Sequence, residues 1–491
     1  MMRMIKSSKE IIAAGTFFIT TFFIIVCSCV YEANILFTCA LIIWAGVMIY
    51  SATDLKRHIV LLCFSVSFFV FLFGREICFA YLGLEKYYRY LEKHNDLTFG
   101  LICISLLCLL AGYILAEKYS VLFSGWQVKI KTKSRPSRLV RFGSRINSVY
   151  EKKLRLASLL AYCVCLAFSF TEVLLKIRLV SLVGYVGSYA SDNVSAPSVV
   201  GYISSFTIIA LSIYLSTCPS KKSTWAAIVF YELYGVFTMV TGHRYTFVAI
   251  SMYNLTYIVF RHRREGGWVS KKLVIALVIS IPFVLALMNA VNASRTGQED
   301  GAKSGALLNT VISFLDQQGG SVNVIKRVMY YRDKLSDMIL TSLSNTRTVL
   351  LENAIVRKVF GVKVFSGNSV ENALYGHYLS HRLSYYEYGE NYLTGHGVGS
   401  CYIAELFHDF GFIGVIVGNV IYGCFISCVN SIGSKRYYRD AMLLASQYYL
   451  FLAPRGDFDG MIGGLFSITA ILGMIGIWAL SILLRQKRQA Q

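Results

Sequence analysis

Runs of about twenty apolar residues recur along this chain from near its first residue to near its last. That is the length an α-helix needs to cross the hydrocarbon of a bilayer. The runs fall at about 11–30, 34–52, 59–80, 97–116, 154–175, 199–217, 224–242, 245–260, 273–290, 411–430, 441–453 and 460–484. No water-soluble core could absorb so many of them, so the pattern predicts an all-α polytopic membrane protein with about twelve transmembrane helices. Composition agrees: 55% of the residues are hydrophobic and 15% charged, against roughly a quarter charged in soluble domains.

The formal charge of +21 would suggest nucleic acid in a soluble protein. Here the basic residues crowd into short linkers between apolar runs, "RHRREGGWVSKK" at 261–272 being the clearest. Linkers of that kind face the cytoplasm, so orientation accounts for the charge and no nucleic-acid partner is expected. Segments 53–58, 117–153, 218–223, 261–272 and 433–440 then lie inside, as do the N-terminus with Arg3, Lys6 and Lys9 and the tail "RQKRQAQ". Both termini are expected in the cytoplasm: an even number of spans puts them on the same side, and the basic linkers name the side. The first run is long for a signal peptide, and no internal repeat of the kind found in transporters is visible. Most of the 13 cysteines lie inside apolar runs without ligand spacing and read as small buried hydrophobes.

The outward linkers are short except one. The chain therefore divides into residues 1–290 with nine helices, a large outer segment at 291–410, and residues 411–491 with the last three helices. A segment that long is functional or disordered, and the tyrosines of "YGHYLSHRLSYYEYGENY" argue for a folded lobe. Within it, "SGALLNTVISFLDQQ" has helical spacing and suits a helix on or dipping into the bilayer.

The outer segment ends on "GHGVGSCYIAELFHDFGFIG". Glu405, His408 and Asp409 stand at i, i+3 and i+4 and share one helix face, with His396 in the glycine-rich turn before them. The bland reading is a polar face meeting water; the functional one is a carboxylate–imidazole–carboxylate set. "TGHRYTF" places Arg244 at an outward turn, "SRTG" places Arg295 beyond the ninth run, and "APRGDFDG" places Arg455 and Asp457 beyond the eleventh. Three arginines converging on one membrane face would suit a diphosphate; each alone could snorkel to headgroups. Arg382 and His381 are weaker candidates. Glu232, mid-span, is either a proton path or a buried carboxylate bonded to another helix.

"GHGVGSCYIAELFHDFGFIGVIVGNVIYG", "FLDQQGGSVNVI", "APRGDF" and "TGHR" together resemble the Wzy-type O-antigen polysaccharide polymerases, as does the single large outer segment. The resemblance implies a glycosyltransferase of the cytoplasmic (inner) membrane. It would transfer a growing glycan from undecaprenyl diphosphate to a newly flipped lipid-linked repeat unit. It implies no cofactor and no metal, with membrane lipid, a flippase and a chain-length regulator as surroundings. On that reading Glu405 or His408 is the general base and Asp409 its orienter. Arg244, Arg295 and Arg455 neutralise the leaving diphosphate, with His396 and Arg382 as further substrate-binding residues. An O-antigen ligase, or a lipid-linked oligosaccharide flippase from another class, remains an alternative.

Overall fold

The computed structural model describes residues 2–84, 88–130, 138–190, 198–275, 306–430, 432 and 436–486, which are helical with no strand. Eight helices among them are long and apolar enough to cross a bilayer: Ile12–Val30, Ile35–Thr53, Leu55–Tyr81, Arg89–Tyr119, Val149–Gly184, Val199–Ser216, Lys221–Val240 and Tyr402–Val429. A ninth is a broken pair, Gly460–Phe466 and Ile468–Leu484, bent by 42°. The chain is thus a multi-pass membrane protein.

Two other expected runs are helices that depart from a simple span. Arg244–Glu265 ends in "RHRRE", so its last turn belongs at a charged surface. Tyr437–Leu452 has 16 residues, about 24 Å at 1.5 Å per residue, short of a full hydrocarbon thickness. The run expected at 273–290 lies almost wholly outside the described residues.

The spans pack as membrane helices do, through small residues and internal hydrogen bonds. Gly112 and Gly423 let Tyr402–Val429 press against the helix Asn95–Ile130: a methyl group on Gly112 would stand 2.3 Å from the Val420 carbonyl oxygen, and one on Gly423 2.0 Å from that of Leu109. Buried hydroxyls find partners: Tyr162 donates to the Ala227 carbonyl, Tyr257 to that of Leu215, and Ser212 pairs with Tyr253. Glu232 accepts from Ser251 and Asn254 of the following helix. It is therefore a half-buried carboxylate bonded between two helices, which is the structural reading of that residue.

Between residues 306 and 400 the chain forms short helices at one end of the bundle. Ala306–Gln318 forms as its spacing predicts and packs on Gly74–Tyr81. Val322–Tyr330 follows, held by two buried ion pairs: Lys326 to Glu76 and Arg327 to Glu387, at 2.5 and 2.9 Å. Ser344–Leu351 packs on Gly460–Phe466, and Leu379–Tyr388 is tied down by Arg382, which grips Asp337 and the carbonyls of Ala373 and Leu374.

Candidate functional site

The quoted stretch becomes a helix with a break. Tyr402–Val429 is kinked at Gly411, whose φ of 58° places it in the left-handed region that glycine adopts without penalty. The turns before the kink carry Glu405, His408 and Asp409 away from the apolar part that follows.

The shared face does not make one cluster. Asp409 accepts four hydrogen bonds, from the amides and hydroxyls of Thr341 and Ser342, at 2.6 to 3.0 Å. It caps the turn that starts the helix Ser344–Leu351. His408 Nε2 reaches the Met338 carbonyl at 3.2 Å. Glu405 points into the protein and is only 1% exposed. One of its oxygens accepts from the Ser400 hydroxyl at 2.5 Å and the other from the Phe458 amide at 2.8 Å.

Phe458 leads to the centre of the site. Its ring stacks on Tyr422 at 5.0 Å, its carbonyl accepts from the Tyr422 hydroxyl, and its amide is held by Glu405. This clamp fixes the turn "RGDFDG", which carries Arg455, Asp457 and Asp459. Asp459 accepts from the amides of Asn345 and Thr346, at 3.2 and 2.7 Å. Asp457 is half-buried. It accepts from the Asn345 carboxamide at 2.9 Å and lies near enough to Glu405 for the two carboxyls to interact electrostatically. Of this carboxyl pair, Glu405 is sealed in and Asp457 is the member a substrate can meet.

Above it lie His377, Tyr378 and His381. His381 pairs through Nδ1 with the Tyr392 hydroxyl at 2.8 Å. Burial holds its imidazole below the usual value against the opposing pull of Asp457, which favours the neutral ring. His377 is likewise held low by burial, against the pull of Glu352. Burial pushes the Tyr378 hydroxyl up to about 12.

On the other side of Arg455 the arginines gather on one segment. The helix Ala306–Gln318 ends in Asp316, Gln317 and Gln318, and each receives a different guanidinium. Arg75 bonds Asp316 at 2.9 Å, Arg244 bonds the Gln317 oxygen at 2.6 Å, and Arg455 bonds that of Gln318 at 3.2 Å. Arg455 also lies 5.4 Å from the Tyr245 ring, next to Arg244 in the chain. The negative end of the helix dipole adds to their attraction. The approach is close: a methyl group on Gly319 would stand 2.1 Å from the Arg75 backbone nitrogen.

Arg244 and Arg455 therefore meet on one segment. Arg295 lies outside the described residues. Arg382 is 5% exposed and spent on Asp337 and two carbonyls, so it braces the lobe. His396 is on the lobe surface, bonded to the Asn391 carbonyl. Sequence reasoning missed Arg75, although "GREIC" set two charges inside an apolar run, itself a signal. It also gave no chemical role to Asp457. Among the described residues no group of three or more His, Cys, Asp or Glu side chains is placed to hold a metal ion.

A family model described as O-antigen polysaccharide polymerase Wzy matches residues 11–488, nearly the whole chain. No curated protein and no solved structure matches. The chain belongs to the Wzy family.

Proposed function

We propose that this member of the O-antigen polysaccharide polymerase family moves a glycan from undecaprenyl diphosphate onto a lipid-linked repeat unit at the turn Arg455–Asp459. The family acts on lipid-linked repeat units as a glycosyltransferase-type polymerase. In this reading the chain has twelve spans with both termini in the cytoplasm. The segment 291–410 forms an outer lobe over the inner membrane, where a flippase delivers repeat units and a chain-length regulator acts alongside.

The observation that carries the reading is the placement of Arg455 and Asp457 on either side of Gly456. A glycosyl transfer needs positive charge on the departing diphosphate and a base on the acceptor hydroxyl, a few ångströms apart. Arg244 joins Arg455 through Gln317 and Gln318, and the two guanidinium forks take the phosphoryl oxygens. Asp457 takes the acceptor proton as the hydroxyl attacks the anomeric carbon and the carbon–oxygen bond to the diphosphate breaks. Glu405 and Asn345 fix the turn that carries Asp457. Asp409 positions the turn at 341–343, which leads into the helix Ser344–Leu351 that carries Asn345. His408 acts through that turn by way of Met338, and His396 on the surface and Arg382 through its brace complete the substrate-binding side. Arg295 is assigned to the same diphosphate side as Arg244 and Arg455.

The test is a purified assay in which lipid-linked repeat units are converted to dimers and longer products. Arg244→Lys replaces a planar fork with a point charge and should slow transfer roughly 100-fold, the scale of losing one oriented donor on a developing anion. Full-length polymer from that variant at wild-type rate would remove Arg244 from the site. Cells lacking the protein should carry surface lipid capped with a single repeat unit; complete absence of capping would favour a ligase.

A further inference from the structure

Beside the carboxylate turn, a groove of about 510 Å³ runs between Gly201, Tyr202 and Ser205 on one side and Tyr449, Gly464 and Ser467 on the other. Its wall is the break at Ser467 in the bent pair Gly460–Phe466 and Ile468–Leu484. Non-helical backbone at membrane depth is tolerated where it lines a cavity or is buried in protein, so the break and the groove explain each other. Large apolar side chains stand exposed nearby on the same elements: Val199 and Tyr202 at 61%, Phe466 at 49% and Leu472 at 61%. In a multi-pass protein such a surface faces acyl chains, so the groove opens sideways to lipid.

Its inner end reaches the site. Gly463 lines the groove and packs so tightly on Asn345 that a methyl group there would stand 2.6 Å from the carboxamide oxygen. That same Asn345 donates to Asp457. Tyr449, whose ring lies directly over Gly464, sits six residues before Arg455. At 1.5 Å per residue its Cα lies about 9 Å along the chain from that of Arg455.

We infer that this groove seats the polyprenyl chain of the donor, leading it from the bilayer to a diphosphate held at Arg455. The inference rests on the reading of the Arg455–Asp459 turn as the transfer site, and it adds where the lipid enters. The donor is favoured over the acceptor by chemistry. The donor's lipid is joined to the diphosphate that departs, so its chain must start beside the arginines. The acceptor reacts at the far end of its repeat unit, a whole oligosaccharide away from its lipid.

The experiment uses the full chain in detergent or nanodiscs with two donors, one repeat unit on undecaprenyl diphosphate and one on methyl diphosphate, which has no chain to seat. The acceptor is a repeat unit without diphosphate, which can only accept. Nothing lies within 4 Å of a methyl group built on Gly201, so a side chain there starts in open space and Gly201→Trp puts bulk into the groove that this position lines. It should lower kcat/KM for the undecaprenyl donor roughly tenfold relative to the methyl diphosphate donor, about the worth of one lost apolar contact patch. Equal loss on both donors, or no loss on either, would overturn the groove assignment. Arg455→Lys is the control for the underlying reading: it should reduce transfer from both donors alike. If Arg455→Lys leaves both intact, the transfer site is misplaced, and that failure is visible whatever Gly201→Trp does.

Discussion

Two sets of arginines serve the same half of this molecule and are held by different partners. In the lobe, Arg327 and Arg382 are gripped by carboxylates, Glu387 at 2.9 Å and both oxygens of Asp337 at 3.0 Å. At the candidate site, Arg244 and Arg455 rest on the carboxamide oxygens of Gln317 and Gln318. A carboxylate orients a guanidinium and offsets its charge; a carboxamide oxygen orients it without adding a negative charge of its own. The first arrangement ties elements together. The second brings two guanidinium groups together at the end of one helix. Arg75 marks the boundary: it approaches the same segment as Arg244 but takes Asp316, and so belongs with the braces.

The largest effect should come from the carboxylate the arginines serve. Asp457→Asn keeps the shape and the acceptor for Asn345 but removes basicity. Transfer should fall about 100- to 10,000-fold, the range for losing a general base, with thermal unfolding unchanged. A variant within threefold of wild type would place the base elsewhere.

Breaking a brace should do the opposite. Glu387→Gln leaves Arg327 buried, with 4% of its side chain exposed, beside a neutral partner. Removing one member of a buried pair costs about 3–5 kcal/mol, so unfolding in detergent should shift to markedly lower temperature. Transfer per folded molecule should stay near wild type. Loss of turnover without loss of stability would erase the distinction between the two sets.

Gln317→Glu converts an arginine held by a carboxamide into one held by a carboxylate. The donor KM should rise roughly tenfold, about 1.4 kcal/mol, while stability holds or improves. An unchanged KM would mean that Arg244 does not meet the donor.

The smallest effect is in pH. Burial works to raise the Glu387 carboxyl, but hydrogen bonds from Arg327 and Tyr90 with the Arg327 charge outweigh it, so it lies below its usual 4.5. A carboxyl held low in the fold contributes stability that is fully present above the unfolded value and is lost as pH falls through the folded one. Wild-type unfolding temperature should therefore decline below about pH 4.5, and Glu387→Gln should flatten that decline. An equal decline in both proteins would assign the acid sensitivity to other carboxyls.

How much of this was legible in the sequence depends on the range of the interaction concerned. Hydropathy is summed over about twenty neighbours, so the eight spans and the broken ninth were visible as runs. So was the helix at 306–318, from its spacing. The i, i+3, i+4 pattern correctly put Glu405, His408 and Asp409 on one helix. It did not say that they turn to three different partners, because those partners are Phe458, Met338 and the Thr341–Ser342 turn, each far along the chain.

Local chemistry thus determined that this chain crosses a membrane, that it carries a helical segment near its C-terminal third, and which arginines flank its turns. Tertiary structure alone decided which of those arginines come together and on what partners. Arg75, Arg244 and Arg455 come from three separate helical regions and meet on three consecutive residues, 316–318. Whether each finds a carboxylate or a carboxamide there is set by how that segment packs against the bundle. The physical reason is that charge compensation acts over a few ångströms in space, while a sequence records only distance along the chain.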